Sequence, residues 1–343
     1  MLVFSRAGGL QAQRFDIAAG RVEGEPIRIA SDVRPVSWPP HALFTVSESG
    51  RIVYVRGSAA DAESEFVWMD RATGDMTPIG VQGSLWNPSL SPDGRFLAFD
   101  WTTGETSGDI WIRDLEHGLD TRLTSDPKNE SNPVWTPDGR TVVFFRGDDI
   151  YRISPDGVSE AELLRESTER SYTWAVTPDG RRLLFSTGDE NNAVFLWTLD
   201  LETLEAQRWF DRPLTSARVS ISADGRWVAY SEFVQDRLEV FVRSVPDGET
   251  VRRVSIAGGF APQWSDGGEI FFAAGSSLMA SRVRELADGT VEIDRPQQIG
   301  LLPPTLPGTH PFDVEPGGTR FLTIRAKHST TGAALRLVEH WGE

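Results

Sequence analysis

The segment Ser91-Pro92-Asp93-Gly94-Arg95, followed by Phe96-Leu97-Ala98-Phe99, constrains this chain more than any other. Proline pre-sets φ near about −65°, aspartate bonds its own backbone, and glycine accepts positive φ. The chain must reverse there, and the flanking strands must pair antiparallel. Related turns read Ser47-Glu48-Ser49-Gly50-Arg51, Thr136-Pro137-Asp138-Gly139-Arg140, Thr177-Pro178-Asp179-Gly180-Arg181, Ser222-Ala223-Asp224-Gly225-Arg226, Ser265-Asp266-Gly267-Gly268 and Glu315-Pro316-Gly317-Gly318. Glycines 50, 94, 139, 180, 225, 267 and 317 are separated by 44, 45, 41, 45, 42 and 50 residues. A period of roughly 40–50 residues with four strands per unit marks the blades of a propeller.

Each unit parses into strands A to D. Strand A precedes the turn. Strand B follows it as a short apolar run, such as Val142-Val143-Phe144-Phe145 or Trp227-Val228-Ala229-Tyr230. These runs do not alternate, as suits strands buried on both faces. Strand C carries an aromatic residue, as in Ile110-Trp111-Ile112 and Phe195-Leu196-Trp197. Strand D is polar, which protects an outer edge from pairing with another chain. At the start, Leu2-Val3-Phe4 reads as B and Leu10 to Asp16 as C. At the end, Phe312-Asp313-Val314 reads as A, Arg320 to Arg325 as B, and Ala334 to Trp341 as C. The expectation is therefore an all-β fold: one propeller domain over residues 1–343, with four-stranded antiparallel blades. Eight blades are expected, seven being the alternative if the two ends merge. The first blade lacks its inner strand and the last its outer strand. Helix is confined to one turn at most, over Glu160 to Leu164.

The chain resembles the TolB-type, WD-repeat-like propellers of bacteria, whose repeats carry Trp-Ser-Pro-Asp-Gly-Arg before an apolar strand. More specifically, it resembles the propeller that follows the kinase domain in bacterial eukaryotic-like serine/threonine kinases. The matching residues are Leu10 to Asp16, Val67-Trp68-Met69-Asp70-Arg71, Asp109 to Leu115, Pro133-Val134-Trp135-Thr136-Pro137-Asp138-Gly139, Glu239-Val240-Phe241-Val242-Arg243 and Val338-Glu339-His340-Trp341. The resemblance spans essentially the whole chain, although no kinase and no small N-terminal TolB domain is present in it. It implies a propeller used for protein contacts, often as an extracytoplasmic sensor or scaffold. It implies no catalytic residues.

The formal charge is −16, from 50 acidic against 34 basic residues. Such a surface repels phosphate backbones and anionic membranes, so a nucleic-acid partner is not expected. Cysteine is absent, which removes disulfides, thiolate nucleophiles and Cys-ligated zinc. The first residues lack a positive region followed by an apolar core, so no signal peptide is read there. No apolar run reaches the ~18 residues of a spanning helix, and no membrane insertion is expected. An extracytoplasmic location would follow only from attachment to a membrane-anchored kinase.

Catalytic and cofactor motifs are not found. The two lysines, Lys128 and Lys327, do not follow glycine, so neither belongs to a phosphate loop. No Gly-x-Ser-x-Gly elbow occurs. His41 and His310 both precede an A strand and are the one conceivable metal pair, but ordinary loop histidines are the simpler reading. The acidic loops Asp126 to Asn132 and Asp189-Glu190-Asn191-Asn192 lack the ligand alternation of a calcium loop. The turn aspartates recur in nearly every unit, so they serve the turn. The strand C tryptophans are core residues first. No cofactor is expected.

The loops leading into the A strands converge on one face in a propeller. They carry Trp38, His41, Trp86, Asn87, Glu130, Asn132, Tyr172, Arg218, Phe260 and His310. Aromatics with a few polar groups suit a protein or peptide site. The expected function is a non-catalytic scaffold or sensor that binds a protein or peptide there. A lyase or hydrolase with a site in the central channel, and a purely structural piece of a larger kinase, are the alternatives.

Overall fold

The computed structural model describes every residue except 7–8, 32, 34, 37–40, 43, 48–49, 57–62, 104–106, 189–192, 211–213, 215–217, 246–247, 287–289, 305–309, 328–334 and 340–343. The described residues form strands and turns, with no helix. Over the stretch where a helical turn was expected, Glu162–Arg165 is a strand instead, pairing with Asp149–Ile153. The chain divides into two compact units: residues 1–64, 306–308 and 326–343, and residues 65–305 and 309–325.

In the larger unit the turns do what their residues dictate. Gly94, Gly139, Gly180 and Gly225 each adopt φ between 67° and 74°. In each turn the Ser or Thr hydroxyl bonds the Asp two residues on, at 2.6 Å for Ser91–Asp93, Thr136–Asp138, Thr177–Asp179 and Ser222–Asp224. The same carboxylates accept the backbone N–H of the following arginine, as Asp93 does from Arg95 at 3.0 Å. The turn is thereby fixed from both sides, and the B strand leaves it in a set direction.

Four sheets follow in sequence order. They begin at the inner strands Glu130–Trp135, Arg170–Val176, Val219–Ile221 and Phe260–Trp264. Two more share the long strand Met76–Leu90. Its later half is the inner strand beside Phe96–Thr102, with Leu97 opposite Leu90 and Trp101 opposite Leu85. On its other side Met76–Leu90 adjoins Ser64–Asp70, which adjoins Arg320–Ala326, which pairs with Phe312–Val314. The larger unit thus holds six sheets among its described residues.

Six apolar clusters lie between these sheets, and the last returns to the first. Ile110 packs with Val142, Val143 with Leu183, Leu196 with Val228, and Val240 with Ile270. The circuit closes through Phe271 against Phe321, with ring centroids 4.9 Å apart, and Phe66 against Phe99 at 5.2 Å. Each fully buried side chain of this size contributes roughly 1.5–3 kcal/mol. Both-face burial explains the unbroken apolar runs of the B strands.

The last expected blade does not form as read. Its third strand was placed at Ala334 to Trp341. Instead Arg320–Ala326 takes Ser64–Asp70 as its neighbour, while Leu335–Val338 pairs with Ile52–Val55 in the smaller unit. The burial patterns give the reason. Phe66, Val67 and Met69 are fully buried, whereas Leu335 and Leu337 are 71% and 58% exposed. The strand that is apolar on both faces goes where both faces are covered. Arg325 then fixes the choice, donating to Glu65 Oε1 from Nε at 3.0 Å and Nη2 at 2.8 Å.

In the smaller unit Leu2–Arg6, Gly9–Asp16 and Arg21–Ala30 form a three-stranded sheet, with Leu2 opposite Gln13. This is the first unit without an inner strand, as its sequence implies. Phe44–Val46, Ile52–Val55 and Leu335–Val338 form a second sheet, and Leu10, Val33, Ile52 and Tyr54 form the unit's core.

Candidate functional site

Eight of the ten expected site residues lie in the larger unit, where its inner strands begin or at the residues leading into them. Trp38 lies outside the described residues. His41 is in the smaller unit, its backbone opposite Val36.

Three inner strands begin with the same irregularity. The register of Ala98 opposite Ser89 changes to Asp100 opposite Trp86, so one extra residue is inserted at Asn87-Pro88. The same slip falls at Asn132-Pro133 and at Ala261-Pro262. Asn87, Asn132 and Ala261 adopt φ of 43°, 53° and 52°. Asparagine tolerates this left-handed region better than other side chains do. Proline, which has no backbone N–H to donate, follows at a position that has no partner in the ladder. A bulge re-aims the residues beside it, here Trp86, Ser131 and Phe260.

Around the first two bulges the polar side chains form one network. Asn87 Nδ2 donates to Asp100 Oδ2 at 2.8 Å and to Ser131 Oγ at 3.1 Å. Ser131 Oγ donates to Asp100 Oδ2, and Thr173 Oγ1 to the Asn132 carbonyl. Trp86 Nε1 reaches Ser84 Oγ at 3.1 Å. Asp100 is buried, and its Oδ1 has no hydrogen-bond partner. Burial drives its carboxyl up to about 7, against the pull of the Ser131 and Asn87 bonds.

Glu130 is fully buried and turned inward. Its Oε1 accepts from Arg146 Nε at 2.7 Å. Burial raises its carboxyl and outweighs that bond. Arg146 also lies 3.5 Å from Asp126 and stacks over the Tyr151 ring at 4.3 Å. The acidic loop at Asp126 is thus tied down by an internal arginine. The other acidic loop, 189–192, lies outside the described residues. Among the described residues no three His, Asp or Glu side chains are grouped to hold a metal ion.

Further round, Tyr172 packs edge-on against Phe145 at 5.5 Å and stacks with Trp174 at 6.1 Å. His310 bonds the Phe312 carbonyl through Nδ1 at 2.8 Å, and its Nε2 lies 3.2 Å from Gln263 Nε2. Burial, with the nearby Arg218 charge, lowers His310 to about 3, so the ring is neutral. Desolvation brings the Arg218 guanidinium down to about 10. The structure therefore gathers Asn87 with Asn132, and Arg218 with His310. Trp86, Tyr172 and Phe260 are partly exposed.

Sequence reasoning missed Asp100, Ser131, Gln263 and Asp313. Asp313 is inside the inner strands, where its carboxylate accepts the Leu90 N–H at 2.6 Å. Burial pushes it up to about 6. A signal was available: Asn-Pro or Ala-Pro stands at the start of three inner strands, and Asp100 directly follows an apolar run. The strand C tryptophans are packed as expected. Trp197 donates to Thr187 Oγ1 at 3.1 Å, while Trp111 packs on Trp101 at 4.9 Å with its buried N–H unpartnered.

No protein-family profile matches the chain. A TolB homolog of Chlorobium chlorochromatii is 30% identical over 205 residues, covering 53% of this chain and 44% of that protein. An uncharacterized peptidase of Bacillus subtilis, YuxL, is 26% identical over 194 residues, 53% of this chain and 27% of that protein. The chain spans less than half the length of these curated relatives. Among solved structures, a putative TolB from Agrobacterium tumefaciens superposes with a TM-score of 0.58 at 18% identity, covering 78% of this chain and 98% of that one. TolB from Acinetobacter baumannii gives 0.51 at 17% identity, over 87% and 81%. The fold is a β-propeller of the TolB type.

Proposed function

We propose that this chain is a non-catalytic scaffold that holds a protein or peptide partner over the rim where its inner strands begin. One observation carries the reading. The buried carboxylates at that rim have internal partners, Asp100 with Asn87 and Ser131, Glu130 with Arg146, so partly exposed aromatics are what the rim presents. Bulges hold those aromatics on strand ends, which suits contact with a preorganised surface. The TolB-type fold supports a binding role at this coarse level. The −16 charge disfavours nucleic acid as the partner. Among the described residues no helix is long and apolar enough to cross a membrane.

The test is a pull-down from the native organism's lysate with the purified chain. The double variant Trp86→Ala/Tyr172→Ala should lose capture while its melting temperature moves by only a few degrees. Capture that persists in the double variant overturns the reading. Attachment to a kinase is part of the same proposal, and the gene region encoding the residues upstream of Met1 tests it.

A second reading, a propeller enzyme, draws on Asp100 and Asp313, whose carboxyls are raised to about 7 and about 6. Groups that change charge near neutrality serve general acid–base chemistry. It predicts turnover on a panel of lyase and hydrolase substrates that Asp100→Asn abolishes.

A further inference from the structure

The opposite end of the inner strands, where the A–B turns lie, carries its own cavity. It has a volume of about 280 Å³ and lies between the turn at Ser222 to Arg226 and the turn at Ser265 to Gly268. Its walls include two indoles, Trp227 and Trp264. Its charged lining is Asp224, Asp266 and Glu285 against one cation, Arg226. Arg226 bridges two of the three, bonding Asp224 Oδ2 at 3.0 Å and Glu285 Oε2 at 2.8 Å. Two units of negative charge remain in excess.

We propose that this cleft receives the arginine or lysine side chain of an extended basic segment of a partner protein. The two features select such an occupant together. The excess carboxylate charge attracts a cation, and the indole walls favour it over a neutral side chain. A second cleft, between two other turns of the same end, has weaker chemistry. It lies between the turns at Ser91 and Pro137, measures about 310 Å³ and is lined by Asp93 and Asp138, with Phe96 in place of the indole pair. This inference concerns a different surface from the rim with Trp86 and Tyr172, so either can fail alone.

The probe is a fluorescein-labelled hexapeptide of alternating glycine and arginine, with alternating glycine and glutamate as its control, followed by fluorescence anisotropy. The arginine peptide should bind saturably, and the glutamate peptide should not. Asp266→Asn/Glu285→Gln should weaken binding tenfold or more. Trp264→Ala, which removes one indole wall, should weaken it severalfold. The exposed pair Glu166→Gln/Asp236→Asn makes the same change in net charge elsewhere and should leave binding nearly unchanged. Equal losses in the two charge-matched pairs would mean attraction to the acidic surface as a whole and would overturn the proposal. So would full binding by Asp266→Asn/Glu285→Gln. Asp266 is exposed in its turn, so Asp266→Asn alone gives a folded variant that tests the charge argument.

Discussion

The carboxylates of the A–B turns and those inside the sheets of the larger unit are opposites. Asp93, Asp138 and Asp179 sit at the surface, and their carboxyls lie below the usual range. The hydroxyl two residues before each is the main cause, and the backbone N–H two residues after adds to it. Asp100, Glu130 and Asp313 are raised, because burial disfavours their charge more than their partners restore it. The same functional group therefore stabilises the fold as an anion at the turns and holds its proton more readily within the sheets. The difference teaches that repetition marks a structural carboxylate, whereas burial without a repeated partner set marks an individual one.

The sharpest way to break this contrast is Glu130→Ala. It strips Arg146 of its main carboxylate in a covered position. The loss should be about 3–5 kcal/mol, read from the midpoint of urea unfolding. A loss no larger than that of a turn mutant would place the two sets of carboxylates in one class.

Next comes Asp100→Asn. The folded-state carboxyl, raised from 3.8 to about 7, keeps a proton that the unfolded chain releases from about pH 4 upward. Stability from this group is therefore greatest at low pH and declines as pH rises through 4 to 7. The variant should flatten that decline and be the more stable protein at pH 8, by on the order of 2 kcal/mol. Melting curves at half-unit pH steps show it. A wild-type curve that climbs over this window through Asp100 would reverse the sign and sink the assignment.

The turn set gives the smallest effect. Asp138→Ala removes bonds from the Thr136 hydroxyl and the Arg140 N–H, at about 1 kcal/mol. Because this carboxyl is lowered on folding, its contribution is present above about pH 4 and fades as the pH falls through the folded value. Wild type and variant should differ less in stability in acid than at neutral pH, and thermal scans at pH 7 and pH 2.5 test that.

The turns and B strands were legible because each is specified locally. Pro-Asp-Gly fixes a reversal, and Val142 to Phe145 can only be covered on both faces. Which third strand joins which second strand was not legible. Phe66 to Met69 and Leu337-Val338 both satisfy the period, and only their burial in three dimensions separates them. The rim was legible in part. The aromatics and Asn87 were picked out by their place before an A strand, but that rule also selected Glu130, which folds inward to Arg146. Asp100 escaped it because it follows a B strand, and its partner Ser131 comes from the next sheet. Contacts between repeats leave no trace in the spacing within them.

The pairing of Arg320–Ala326 with Ser64–Asp70 has a consequence for synthesis. Residues that emerge early on the ribosome wait for a strand made some 250 positions later. Until it arrives, Phe66 and Phe99 face water on one side, and the growing polypeptide carries an open, apolar seam. Such a seam is where premature intermolecular pairing begins. A stop codon placed just before Phe312 should yield an aggregating product, not a smaller soluble one.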